Sequence, residues 1–214
     1  KFHTVDDGLD VALALNGAPI AVTDAADNAG GGAPSDNTTI LRRLIDRDVR
    51  GAALGPLYDP IAVHTCFAAG LGAALQLRSG GKTCAASGMP VDAVGVVIGL
   101  RRDGWQTYGS AQVPLGDMAA VRIGGVEVVM NSLRTQAFGL ELFTNVGIEP
   151  RDRKLLVLKS SNHFRAAYDA VIQGLVHIHS DGLLIRDDYR RIAYAHAGRP
   201  FWPLDEATSG RPVY

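Results

Sequence analysis

Short apolar runs bounded by Gly, Asp and Asn recur in the first and last thirds of the chain, with amphipathic stretches between them. Leu9, Val11, Ala12 and Leu13 predict a short helix within residues 2–16, closed by Asn16-Gly17. Pro19 to Thr23 reads as a strand buried on both faces. A helix capped by Ser35 or Asp36 should run to about Asp48, with Ile40, Leu41, Leu44 and Ile45 on one side. Gly51 to Leu57 is a second strand, Asp59-Pro60 opens a helix ended by Gly70 and Gly72, and Ala73 to Leu77 is a third strand. This β-α-β-α-β alternation implies parallel pairing.

The middle of the chain changes rhythm. Val91 to Leu100 is a long strand, and Arg102-Asp103-Gly104 reads as a hairpin turn into Trp105 to Tyr108. Val121 to Ile123 and Val126 to Met130 form a second hairpin about Gly124-Gly125. Alternation then returns. Gln136 to Val146 is helical, Lys154 to Leu158 is a buried strand, and Leu175 to Ile178 is the last. Between these strands Asn162 can cap a helix with Phe164, Ala167, Tyr168, Val171 and Ile172 along one stripe. The fold class is α/β: a mixed sheet with β-α-β units at both ends of the chain, antiparallel hairpins in the middle, and helices packed on the sheet. Residues 1–214 read as one domain, with 185–214 an extended polar tail that includes the Pro-rich Arg199 to Leu204.

Composition narrows the function. A hydrophobic content of 47% suits a folded globular chain, and a formal net charge of −1 without a basic block gives no footprint for nucleic acid. No apolar run approaches the ~20 residues of a membrane-spanning helix. Two cysteines make no disulfide framework, so a reducing, cytoplasmic setting is the default. The chain opens on Lys1, which points to a piece of a longer protein.

Two strand-to-helix turns carry the candidate chemistry, because open α/β sheets bind ligands at the carboxyl ends of their strands. The first holds Asp24, Asp27, Asn28, Gly30, Gly31, Gly32 and Asp36. Glycines cluster where φ must be positive or where something approaches the backbone closely. Their amides could form an anion nest, yet the aspartates would repel an anion, and the spacing matches no nucleotide-binding fingerprint. The alternative is a turn whose Asp side chains cap its own amides. The second turn is Lys159-Ser160-Ser161-Asn162-His163-Phe164-Arg165, where two cations and two hydroxyls could cradle a carboxylate or phosphate. His163 could serve as acid, base or donor. The simpler alternative is a cap with solvated or paired charges. His177 and His179 share one face of a strand without an evident third metal ligand, and His64 and Cys66 read as structural. No complete catalytic apparatus is visible.

With these motifs in hand, the chain resembles the C-terminal domain of the microcystinase C (MlrC)-type metallopeptidases. The likeness rests on Asp27-Asn28-x-Gly30-Gly31-Gly32-Ala33-Pro34-x-Asp36, Tyr58-Asp59-Pro60, Gly70-Leu71-Gly72 and Gly80-Gly81-Lys82. Lys159-Ser160-Ser161-x-His163-Phe164-Arg165 and Arg199-Pro200 complete it, in the same order, from about Phe2 to Leu204. Departures are Ala29, where the family usually has proline, and His177 and His179. The resemblance implies a two-domain peptide or amide hydrolase whose zinc ligands lie in an N-terminal domain outside this chain. The chain itself would then hold no metal and no catalytic residue, and would be inactive alone. Its expected partners are its own N-terminal catalytic domain and a peptide-like or small amide substrate, with a homo-oligomer left open. On this view Lys159, Ser160, Ser161, His163 and Arg165 grip substrate, with Asp27, Asn28 and Gly30 to Gly32 beside them. A non-catalytic interaction module and a metal site within the chain are the competing expectations.

Overall fold

The computed structural model describes residues 2–184 and 195–196. Contacts divide the chain into two compact units, residues 1–184 and 185–214. The proposed tail, with Arg199 to Leu204, lies outside the described residues.

The strands of the first unit are β1 (Phe2–His3), β2 (Ile20–Asp24), β3 (Ala52–Tyr58), β4 (Ala74–Ser79), β5 (Val91–Tyr108), β6 (Ala111–Ile123), β7 (Val126–Asn131), β8 (Leu155–Leu158) and β9 (Gly174–Ile178). They form a nine-stranded sheet in the order β1-β9-β2-β8-β3-β7-β6-β5-β4. Pairing is parallel from β1 to β7 and antiparallel from β7 to β4. The mixed α/β class is therefore as expected. The helices are α1 (Val5–Ala14), α2 (Thr39–Asp46), α3 (Pro60–Ala69), α4 (Glu141–Thr144) and α5 (Arg165–Tyr168). No described helix is long and apolar enough to cross a membrane.

Two apolar layers hold the sheet between them. Leu155 and Val157 join a cluster with Leu9 and Ala12 of α1, Leu41 and Leu44 of α2, and Val63 and Cys66 of α3. Leu156 and Leu158 point the other way, toward Leu142 and Phe143 of α4 and Phe164 and Tyr168. Successive residues of a strand face opposite sides, so a central strand covered on both must be apolar throughout. Pro56 sits in β3 where the register with β7 shifts, which is where a residue without an amide proton fits.

Several expectations need correction. The strand at 74–79 pairs antiparallel with β5 at the sheet edge and does not extend the parallel alternation. Arg102-Asp103-Gly104 makes no turn; β5 runs through it to Tyr108 with a register shift, because Asp117 on β6 takes both the Asp103 amide and the Arg102 guanidinium. The residues between, 111–120, are most of β6, which the sequence pattern did not reveal. α2 begins at Thr39, not at Ser35 or Asp36: Asn37 Oδ1 accepts the Thr39 amide, while Asp36 is committed to a distant loop. Only residues 141–144 of the expected 136–146 helix are helical, because Gln106 Oε1 takes the amides of Phe138 and Gly139. α5 spans one turn, although Phe164, Tyr168 and Val171 of the stripe are buried and Ala167 and Ile172 half-buried.

Candidate functional site

The carboxyl ends of β2, β8, β3 and β7 lie side by side, and the loops leaving them build the site. At its floor is Lys159, immediately after β8 and only 2% exposed. Its Nζ donates to Asp27 Oδ2 at 2.8 Å, to the Asn37 carbonyl at 2.8 Å and to Asp24 Oδ2 at 3.4 Å. Asp24 Oδ1 accepts Ser180 Oγ at 2.7 Å, and Asp27 accepts the amides of Ser35 and Asn37 at 2.9 and 2.7 Å. An ammonium has three protons to give, and Lys159 has given all three. Burial alone would lower its pKa, but the carboxylates of Asp27 and Asp24 outweigh burial and hold it raised. Burial raises Asp27, with Lys159 opposing and Asp24 adding to the rise.

The other aspartates of this edge are occupied in the same manner. Asp36 Oδ2 accepts the amides of Lys82 and Thr83, and its Oδ1 accepts Ser87 Oγ. Asp59 Oδ1 caps α3 through the Ala62 amide, while Oδ2 accepts the Gly80 amide and Lys82 Nζ at 2.8 and 2.6 Å. Carboxylates here organise loops.

Above this floor the glycine loop meets the turn after β8. Asn28 Oδ1 accepts the Gly30 amide at 3.0 Å, and its Nδ2 donates to Ser161 Oγ at 3.1 Å. The Gly31 and Gly32 amides donate to the carbonyls of Asn28 and Ala29. The glycine amides are therefore used inside the loop, which corrects the anion-nest alternative. Gly30 brings the loop against Gln136: a Cβ there would lie 2.6 Å from Gln136 Oε1, so that side chain would have to shift. Gln136 Nε2 in turn lies 2.8 Å from His163 Nδ1.

Of the residues proposed from sequence, Asp27, Asn28, Gly30, Gly31, Gly32, Lys159, Ser160, Ser161 and His163 come together at this edge. Their roles divide. Lys159 is an internal strut, not a surface cation, and Ser160 is fully buried. Arg165 is exposed and pairs with Asp169 at 3.0 Å one helical turn on. His163 and Ser161 remain at the surface. Sequence reasoning missed Arg134 and Gln136. Arg134 Nη1 donates to the carbonyls of Ala29 and Ala33 at 3.0 and 2.8 Å, clamping the glycine loop from outside. Both follow the carboxyl end of β7, a position that the strand-end rule could have flagged.

Beside His163 the β5–β6 hairpin extends past the end of β7 and bends over the edge. Tyr108 at its tip lies 4.6 Å from Phe138 and 5.2 Å from His163, centroid to centroid. Between them and α5 is a cavity of about 370 Å³ lined by Thr107, Tyr108, Phe138, Glu141, His163 and Ala166, among others. At the neighbouring strand end, His177 Nδ1 lies 2.8 Å from Thr23 Oγ1 and its ring packs against Phe2. Among the described residues no group of three or more His, Cys, Asp or Glu is placed to hold a metal ion.

A mixed sheet with its polar loops gathered at the parallel carboxyl ends defines an α/β domain with a polar strand-end rim. Residues 22–196 match the family model described as the MlrC C-terminus, and the chain belongs to that family. It is 32% identical over 198 residues to Microcystinase C of Sphingomonas sp., covering 92% of this chain and 38% of that protein. A crystal structure of a candidate metallopeptidase from Mesorhizobium sp. BNC1 superposes with a TM-score of 0.83 at 23% identity, over 98% of this chain and 42% of that one. The chain thus spans about two fifths of either relative, and the 23% identity speaks to the fold alone.

Proposed function

We propose that this domain forms one wall of the substrate cleft of an MlrC-like peptide or amide hydrolase, facing a zinc-binding domain of the same protein. The observation that carries it is the Asn28–Ser161 hydrogen bond, which joins the two most distinctive stretches of the chain into one rim. His163 and Arg134 border that rim with polar groups at the surface. Zinc held in the facing domain would polarise the scissile carbonyl and activate water. The residues of this chain bind and orient: His163 Nε2 and Ser161 meet substrate, Arg134 and Asn28 hold the glycine loop against it, and Lys159 with Asp24 and Asp27 keeps the floor rigid.

The test is kinetic. In the full-length protein, His163→Ala and Arg134→Ala should each lower kcat/KM on a linear peptide at least about tenfold, a loss of ~1.4 kcal/mol. Unchanged values in both would remove the cleft role. A second reading, that the rim only docks the partner domain, draws on the glycine amides being satisfied within their own loop. It predicts weakened association between the domains with kcat/KM per assembled molecule intact.

A further inference from the structure

The cavity beside His163 contains a charge that its surroundings do not balance. Glu141 is half-buried at the start of α4, and its carboxylate folds back over Gly139, where any Cβ would collide with Oε2. Oε1 accepts Thr107 Oγ1 at 2.9 Å and Oε2 accepts the Thr107 amide at 3.3 Å. Both donors are neutral. Among the described residues no Lys, Arg or His forms an ion pair with Glu141, although nearly every other acidic group of this edge is matched to a cation or to several amides. The remaining walls include the rings of Tyr108, Phe138 and His163 and the side chains of Leu140, Ala166 and Ala167. Tyr108 is 41% exposed, so part of its ring is open to an occupant.

We infer that this cavity binds a cationic group of the substrate, an ammonium or guanidinium, with Glu141 supplying the counter-charge and Tyr108 and Phe138 the aromatic faces. An anionic occupant would meet Glu141. A purely apolar one would strip water from the carboxylate and give nothing back, which costs free energy. A cation gains from both the carboxylate and the ring quadrupoles. The volume suits a side chain or small amine, being near the lower end of the ~300–1,000 Å³ of ligand pockets. The inference rests on the cleft-wall reading for its substrate, but the site itself is testable without catalysis.

The probes are benzylammonium and benzyl alcohol, matched in shape and different in charge, titrated into the 214-residue chain and followed by amide chemical shifts. Benzylammonium should give saturable shifts confined to Gly109, Gly139, Ala166 and Ala167, with benzyl alcohol at least about tenfold weaker. Glu141→Gln should remove that preference, and Ala166→Leu, which fills the cavity from an exposed helix position, should abolish both. Equal binding of the two probes, shifts elsewhere only, or an undiminished preference in Glu141→Gln would overturn the inference. Should Glu141→Gln unfold, the probe comparison and Ala166→Leu still decide it. Failure here with His163→Ala and Arg134→Ala still impairing kcat/KM would remove the cation site and leave the cleft wall standing.

Discussion

Asn28 donates through Nδ2 to Ser161 Oγ at 3.1 Å while its Oδ1 holds the Gly30 amide, so one side chain ties two loops that lie 133 positions apart. Ser161→Ala removes only the bridge and should cost about 1 kcal/mol. Asn28→Ala removes the cap as well and should cost more. Urea unfolding measures both, and hydrogen exchange at Gly30 separates them: it should accelerate in Asn28→Ala and stay near wild type in Ser161→Ala.

Lys159 is the counter-ion of two buried carboxylates. Lys159→Met should destabilise by about 3–5 kcal/mol, the usual cost of stranding a buried charge. Adding Asp27→Asn should restore part of that loss, because the remaining negative charge is then smaller. Denaturation of the single and double variants gives the comparison; an equal or greater loss in the double variant would contradict the strut.

Alkaline pH should weaken the fold through buried groups that folding keeps protonated, Lys159, Cys66 and Tyr168 among them. Lys159 has a folded pKa raised above 10.5, so its stabilisation is complete below that value and lost as pH rises through the folded one. Cys66 is pushed from 9.0 up to about 11, by burial first and the Asp59 charge second. An acid kept protonated by folding also loses stability as pH climbs between those values. The urea midpoint should therefore fall above about pH 9, and fall less steeply in Lys159→Met/Asp27→Asn. Asp27, also raised, acts in the same sense at lower pH: its contribution grows as pH drops toward 3.8.

The same burial makes the two thiols unequal. Cys84 is exposed and Cys66 buried in the core. A disulfide exchange reagent at pH 8 should modify one thiol of the native chain quickly and the second only on unfolding. Cys84→Ser should remove the fast phase alone.

Gln106 is worth more than its polarity suggests. Its Nε2 donates to the Gln136 carbonyl at 2.8 Å and its Oε1 takes the amides of Phe138 and Gly139. Gln106→Ala would leave the Phe138 and Gly139 amides without partners and the Gln136 carbonyl with only the Thr135 hydroxyl at 3.5 Å, and should cost about 3 kcal/mol. The loss should appear first as faster exchange at Phe138 and Gly139.

Legibility followed burial. Ile20 to Val22 and Leu155 to Leu158 are apolar at every position because both faces are covered, and they were readable as strands. The first half of β6 was not. Pro114, Gly116 and Asp117 interrupt its pattern, since there it pairs with β5 and has left β7 behind. The site divides in the same way. Glycines and a Lys-Ser-Ser turn mark themselves in one dimension. Whether an ammonium points outward or into a pair of aspartates depends on a contact 135 positions away. Arg134, Gln136 and Glu141 lie in a stretch with no motif at all, and they matter only because the hairpin tip and the glycine loop come to rest on them.

That hairpin has a mechanical consequence. Its ladder with β7 ends at Met118 and Asn131, the Ser132 and Leu133 amides still donate to the Asp117 and Leu115 carbonyls, and from there to Tyr108 it is a ribbon two strands wide. Such ribbons are marginal by themselves, so its posture depends on the clasp of Gln106, Thr107 and Glu141 and on Asn145 Nδ2, which donates to the Trp105 carbonyl. The roots of the two loops are anchored on neighbouring central strands and cannot separate without breaking the sheet. Because Glu141 belongs to the clasp, whatever engages that carboxylate also acts on the hold that keeps the ribbon over this edge.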